Sequence, residues 1–326
     1  METATSFRTS RIRRLCSRGS TLLLVIPTVS ILPYLSTVLR GATVGTVWPV
    51  RAIPFDICDA SDAKPPNECV AAGIGVLTGK NVYFTKEEAS FIRLTIQAFC
   101  DQVGDIVRLV PRRYKTADGV RERSGGYILF EKEQNLDPTI GGYAEGAGYT
   151  GDEKRGIWLA KQSFDRLAHT ILHEIGHILG FEHEQMHPER DSYIQLNWLD
   201  ASADHEQYLR SCFEKDESLC ETTSSFFGLF HHKIVIKYAG DYDFRSVMHY
   251  ALNIKPSKDR VQVEMTANKN GIARLIAQGL EGIPVNPKVG RFSLYSDDDK
   301  AAITKLYSEK PLTTDGEDPG VCRARD

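Results

Sequence analysis

Residues 173–183 read HEIGHILGFEH, and no other stretch constrains the fold as much. His173 and His177 stand four apart. On a helix four residues turn through about 400°, so the two rings sit about 40° apart around the axis and about 6 Å apart along it. Both imidazoles then reach one ion. Glu174 is offset by about 60° from His177, which leaves its carboxylate beside that ion without needing to bind it. Gly180 can take the left-handed conformation that ends a helix, and the chain turns back so that His183 supplies a third ligand. Three imidazoles leave one coordination position open, the pattern of a catalytic zinc site. A lone H-x-x-x-H is more often a pair of core histidines; here the acid, the glycine and the third histidine all stand at the required spacing. Zinc so held lowers the pKa of its water to about 7 and polarises a carbonyl. Glu174 then reads as the general base that takes the water proton and passes it to a leaving amine.

The 326 residues are 41% hydrophobic and 25% charged, which excludes a disordered, collagen-like or polytopic membrane chain. Forty Lys+Arg against 43 Asp+Glu leave a formal charge of -3, so there is no overall basic field and no nucleic-acid partner is expected. The charge that exists is unevenly placed. Arg8, Arg11, Arg13, Arg14 and Arg18 precede an uncharged, mostly apolar run from Gly19 to Leu39. This is the grammar of an export signal, or of a signal-anchor tethering the chain to a membrane through residues 19–39. Pro27 and Pro33 favour a cleaved signal; the lack of an A-x-A site favours the anchor. Residues 1–47 are read as this leader, and the mature chain is expected to be secreted or anchored facing outside. Cys16 lies in the leader. Cys58, Cys69, Cys100, Cys212, Cys220 and Cys322 remain, an even number that suits three disulfides in an oxidising compartment. Many pairings are open. Short loops favour Cys58–Cys69 and Cys212–Cys220, leaving Cys100–Cys322; plain buried thiols are the alternative.

Local signals place the remaining elements. Trp48 to Phe55 reads as an entering strand, and residues 56–79 as a loop rich in Pro, Gly and Asp. Thr85 and Glu88 form a capping box for a helix running to about Val103, with Ala89, Ile92, Ile96 and Phe99 on one face. Ile106–Val110, Tyr127–Phe130 and Ile157–Ala160 are short strand candidates, and Gly141–Gly151 a weak strand or irregular rim. The histidine-bearing helix spans about Phe164 to Leu179. The C-terminal half shows little regular signal apart from a closing helix, Asp297 to Leu306.

HEIGHILGFEHEQMHPERD resembles the extended signature of the astacin family of metzincin zinc peptidases, H-E-x-x-H-x-x-G-F-x-H-E-x-x-x-P-x-R-D. Downstream, residues 242–250 (YDFRSVMHY) resemble the family's Met-turn, WPVRAIPF its mature N-terminal segment, and GRFSLYSDDDKAAITKLY its closing helix. The resemblance covers roughly Trp48 to Tyr307. It implies an α+β, metzincin-like zincin fold in two lobes: a twisted mixed sheet with two long helices above, to about residue 183, and an irregular lower lobe from about 184. It implies a catalytic domain over 48–310 and a tail, 311–326, carrying a disulfide that could match the family's long-range bridge as Cys100–Cys322. It implies zinc ligation by His173, His177 and His183, with Tyr250 as a distant fifth ligand that swings away to stabilise the oxyanion. Glu174 would be the base and Met248 an apolar floor under the metal. Glu184 would be a buried carboxylate behind the ligands, and Arg190 and Asp191 would tie the loop after His183. An extended protein or peptide substrate would lie along a sheet edge near Gly141–Gly148.

The departures from the family pattern concern processing. Only a few residues separate the uncharged run from Trp48, so the zinc-capping pro-segment of family precursors is not expected, nor the pairing of Glu184 with a new N-terminus. Among the other histidines, His169 is read as a helix-face residue and His187 as lining the cleft. His205, His231 and His232 are read as solvated, and His249 as structural. The functional expectation is a zinc endopeptidase acting on extracellular proteins. The alternatives are a catalytically silent binding or adhesion protein that retains its zinc, and a zinc enzyme acting on a non-peptide amide.

Overall fold

The computed structural model describes residues 47–60, 69, 83–116, 119–123, 125–133, 141–151, 154–160, 164–199, 240–252, 262–280 and 294–313. The leader, the Cys212–Cys220 pair, Cys322, His205, His231 and His232 lie outside them. Among the described residues no helix is long and apolar enough to cross a membrane.

Strand β1 (Ala52–Ile57) runs into helix α1 (Lys86–Val103), which starts where the capping box places it. Thr85 Oγ1 accepts from the Glu88 amide at 3.3 Å, and the Glu88 carboxylate accepts from the Thr85 amide at 2.8 Å. The helix crosses over to β2 (Arg108–Pro111), parallel to β1. Next comes a small hairpin, β3 (Arg113–Thr116) and β4 (Gly119–Glu122). Strand β5 (Tyr127–Glu133) pairs parallel with β1 and with β7 (Lys154–Ala160). Strand β6 (Gly142–Ala144) pairs antiparallel with β7, so the sheet order is β2-β1-β5-β7-β6 and β6 is an edge. The mixed sheet expected from the resemblance is therefore present, with the glycine-rich rim as its edge strand.

Side-chain alternation gives the sheet one buried face. Ile53, Phe55, Leu109, Ile128, Phe130, Ile157 and Leu159 pack on Ile92, Ile96 and Phe99 of α1 and on Leu167, Ile171, Ile175 and Ile178 of helix α2 (Phe164–Ile178). Each such fully buried side chain contributes about 1.5–3 kcal/mol. On the other face Cys58, Cys69, Tyr127 and Leu129 form a small separate cluster. The Cys58–Cys69 disulfide is formed as expected. Cys100 is also disulfide-bonded, and Cys322, the partner expected for it, is outside the described residues.

After two short 3₁₀ turns (Glu184–Met186 and Arg190–Ser192) come β8 (Ile194–Leu199) and β9 (Gln262–Ala267), an antiparallel pair. Helix α3 (Lys269–Ala277) follows, its first turn capped by Asn268 Oδ1 accepting from the Gly271 amide at 3.0 Å. The lower half is thus more regular than its sequence suggests. Ile194, Tyr242, Phe244, Leu252 and Met265 make its own core. The closing helix α4 (Asp297–Tyr307) is the one anticipated, capped by a Ser296–Asp299 box.

Candidate metal centre

The end of α2 is shaped to present its histidines. Gly180 has φ +105°, the Gly180 amide bonds His177 O at 2.8 Å, and the Phe181 amide bonds Gly176 O at 3.0 Å. This is the paired hydrogen bonding of a Schellman cap, which turns the chain back under the helix and brings His183 beneath it. Carbonyls near the helix end that would lack intrahelical donors are met by distant side chains. Trp48 Nε1 bonds Ile178 O at 2.8 Å, and the Tyr307 hydroxyl bonds Leu179 O at 3.0 Å. Both chain ends of the domain therefore brace the ligand helix.

The three imidazoles converge through their Nε2 atoms. His183 Nε2 lies 3.1 Å from His173 Nε2 and 3.2 Å from His177 Nε2. Nitrogens bound tetrahedrally to one zinc at about 2.0–2.1 Å stand about 3.3 Å apart. The tautomers argue the same way. His173 Nδ1 donates to Val247 O at 2.9 Å, and His177 Nδ1 donates to Phe181 O at 2.8 Å. In the neutral rings both Nε2 atoms then carry lone pairs directed at a common point, where only a cation satisfies them together. Burial favours this neutral state. It holds His173 and His183 well below the usual imidazole range, helped by the neighbouring histidines, and takes His177 to about 4. The residues present fit zinc, and His173, His177 and His183 form a potential zinc-binding site.

Glu174 is buried, and desolvation pushes its carboxyl up to about 8 despite a hydrogen bond from the Ala144 amide of β6. The general-base candidate is therefore tied to the sheet edge. The Tyr250 ring lies 4.3 Å from the His183 ring and 6.0 Å from that of His173. Burial raises the Tyr250 phenol, and the charges of Glu174 and Glu182 add to the rise, so it remains a proton donor. Met248 packs against α2 between the two ligands of the helix: a Cβ on Gly176 would collide with Met248 Sδ. All the residues singled out in the sequence are brought to one place.

The turn carrying Met248 and Tyr250 is held from three sides. Asp299 of α4 accepts from Ser246 Oγ at 2.8 Å and from the Val247 amide at 3.0 Å. Glu184, buried behind the ligands, accepts from the Asp243 amide at 2.8 Å. Gln185 Oε1 accepts from the Tyr250 amide at 3.1 Å. The reading of the sequence missed Gln185 and Asp299; a buried amide next to the signature and an acid in a capping box were the available signals. Arg190 donates to Gln185 O at 3.0 Å and pairs with Asp191, tying the loop as the resemblance implies. His249 is interior, bonded to the Tyr242 hydroxyl at 2.7 Å. His169 is partly buried with its ring 5.7 Å from that of His173. His187 corrects an expectation. It does not line the cleft but is buried, bonding Gly240 O at 2.7 Å and accepting from the Glu189 amide at 3.1 Å. A neutral ring can bridge two backbone groups, which an arginine in its place could not do.

The likeness to known proteins agrees with this geometry. The chain is 29% identical over 131 residues to "Nematocyst expressed protein 6" of Nematostella vectensis, covering 40% of this chain and 37% of that protein. It is 28% identical over 138 residues to "Zinc metalloproteinase nas-13" of Caenorhabditis elegans, covering 42% of this chain and 23% of that one. The matches thus span well under half of either relative. Among solved structures, high choriolytic enzyme 1, a hatching enzyme zinc-protease from Oryzias latipes, aligns over 82% of this chain and 94% of its own at 18% identity and TM-score 0.44. The family model of the astacin peptidases matches residues 121–307, more than half of the chain and the whole span from β4 through the three histidines to the end of α4. The chain that brings three imidazoles and a buried glutamate together here is a member of the astacin family.

Proposed function

We propose that this chain is a zinc-dependent endopeptidase whose catalytic domain covers residues 48–310. The observation that carries the reading is the convergence of three Nε2 atoms beside a buried carboxylate on the rim of an open sheet edge. His173, His177 and His183 hold the metal. Zinc there supplies positive charge, which polarises a substrate carbonyl, acidifies a water and draws the Glu174 carboxyl back to its ionised form. Glu174 accepts a proton from the attacking water and returns it to the departing amine. Tyr250 takes an outer position on the metal and then donates a hydrogen bond to the oxyanion of the substrate. The substrate is an extended segment of a protein that adds to β6 through main-chain hydrogen bonds.

Export is part of the proposal. It is supported by the arginine-then-apolar leader and by the Cys58–Cys69 disulfide, which belongs to an oxidising compartment. The silent-binder alternative finds no support in the site, which keeps the base and all three ligands. The direct test is casein hydrolysis by the purified zinc-loaded chain, with and without a chelator. Chelator-sensitive cleavage is expected. Absent or chelator-insensitive cleavage would refute the assignment.

A further inference from the structure

The outer face of the sheet carries an aromatic pair that this chemistry leaves unused. Tyr143 of β6 stacks on Trp158 of β7, with centroids 4.8 Å apart and planes 17° apart. The indole lies back over Gly156, where a Cβ would collide with the ring carbons, so only glycine lets it lie flat. Lys154 Nζ sits 5.8 Å from the indole centroid and 3.2 Å from the Glu131 carboxylate. This patch already holds one ammonium between an aromatic face and an acid. Tyr143 itself is 40% exposed, so part of its ring is free for a second.

The ladder shows what an added strand would place there. The Ala160 amide bonds Gly141 O at 2.8 Å and the Glu145 amide bonds Gly156 O at 3.0 Å, flanking the Tyr143–Trp158 pair. In an antiparallel ladder such residues alternate, so the Tyr143 main chain faces β7 while those of Gly142 and Ala144 face the free edge. A peptide paired to that edge meets Tyr143 across a narrow, non-hydrogen-bonded site. One of its side chains then stands on the same face as Tyr143, with Cβ atoms about 4.5–5.5 Å apart. The charges select which side chain. Glu131, Glu133 and Glu145 lie within electrostatic reach of the Tyr143 hydroxyl. Against them stands Lys154, already paired. Arg155 belongs to the other face, its guanidinium bonded to Thr150 Oγ1 and to the carbonyls of Glu145 and Gly146.

We propose that Tyr143, backed by Trp158, forms a subsite that selects a lysine or arginine side chain in the peptide added to β6. The proposal rests on the peptidase reading of the site, but its test needs no turnover. Zinc-loaded full-length Glu174→Gln is titrated calorimetrically with a short peptide carrying lysine, norleucine or glutamate at each position in turn. At one position lysine should bind about tenfold tighter than norleucine, and glutamate weaker than both. Tyr143→Ala in the same background should erase the lysine advantage and Tyr143→Phe should keep it. Glu145→Gln, which still offers an acceptor to the Gly156 amide, should lower it severalfold. Equal affinities at every position, or an advantage that survives Tyr143→Ala, would overturn the subsite. Hydrolysis of the same peptides by the wild type is read separately. Lysine-selective binding without hydrolysis would sink the peptidase reading and uphold the subsite; hydrolysis without selectivity would sink the subsite alone.

Discussion

Two side chains should separate chemistry from binding. Glu174→Gln keeps the hydrogen-bond acceptor for the Ala144 amide and leaves the three imidazoles untouched, so the metal should stay. The proton acceptor is gone, and kcat should fall by about 10³-fold or more. Metal content by atomic absorption, read beside casein turnover, checks both halves; full zinc with an unchanged rate would remove Glu174 from the mechanism. Tyr250→Phe keeps the ring near His183 and deletes only the phenol. A donor aimed at charge that develops late should affect kcat by about 10²-fold and KM little. A change confined to KM would place Tyr250 in ground-state binding instead. Both residues stood out in the sequence, Glu174 by helical spacing and Tyr250 by its place in the turn motif. Gln185, which bonds the Tyr250 amide, did not, because nothing local distinguishes a buried glutamine from an exposed one.

At the level of elements, the coupling between α4 and the turn under the metal is open to test. Asp299 serves two structures at once. It closes the capping box of α4 through the Ser296 amide, at 3.0 Å, and accepts from Ser246 and Val247 of the turn. Asp299→Ala would strand three buried donors and should cost about 3 kcal/mol in chemical denaturation. Asp299→Asn retains one acceptor and should cost less. Burial and the nearby Asp243 carboxylate raise the Asp299 carboxyl to about 6, outweighing its hydrogen bonds. The unfolded group, with its ordinary value of 3.8, protonates only at lower pH. Between these values the folded chain holds the extra proton, so acidification from pH 7 towards 4 should stabilise the wild type relative to Asp299→Asn. A stability difference that does not change with pH would contradict the raised value.

For the molecule as a whole, the metal should be part of the folded state. Without a cation, the Nε2 lone pairs of His173 and His177 are buried against each other and His183. Zinc at about a thousand times its dissociation constant stabilises by about 4 kcal/mol. Chelation should therefore lower the melting temperature by roughly 10 °C for a domain of this size, and added zinc should restore it. An unchanged transition would mean that the site contributes nothing to the fold. The two cores divide the labour: the larger one fixes α2 against the sheet, and the smaller one carries the turn that bears Tyr250. The peptide edge, β6, lies where the first of these meets the metal.

What the sequence determined by itself was whatever is set within a few residues along the chain. That includes the ligand spacing on α2, the glycine that ends it, the Thr85–Glu88 box and the closing helix, because helical periodicity and capping are local. Tertiary structure decided the rest. The β8–β9 pairing joins segments separated by some sixty residues, so neither strand carries its own signal. The burial of His187 depends on Gly240, the orientation of His173 on Val247, and the tether of Glu174 on Ala144. Each is a contact across tens of positions. It exists only once the hydrophobic faces have packed, and it leaves no period in the sequence from which it could be read.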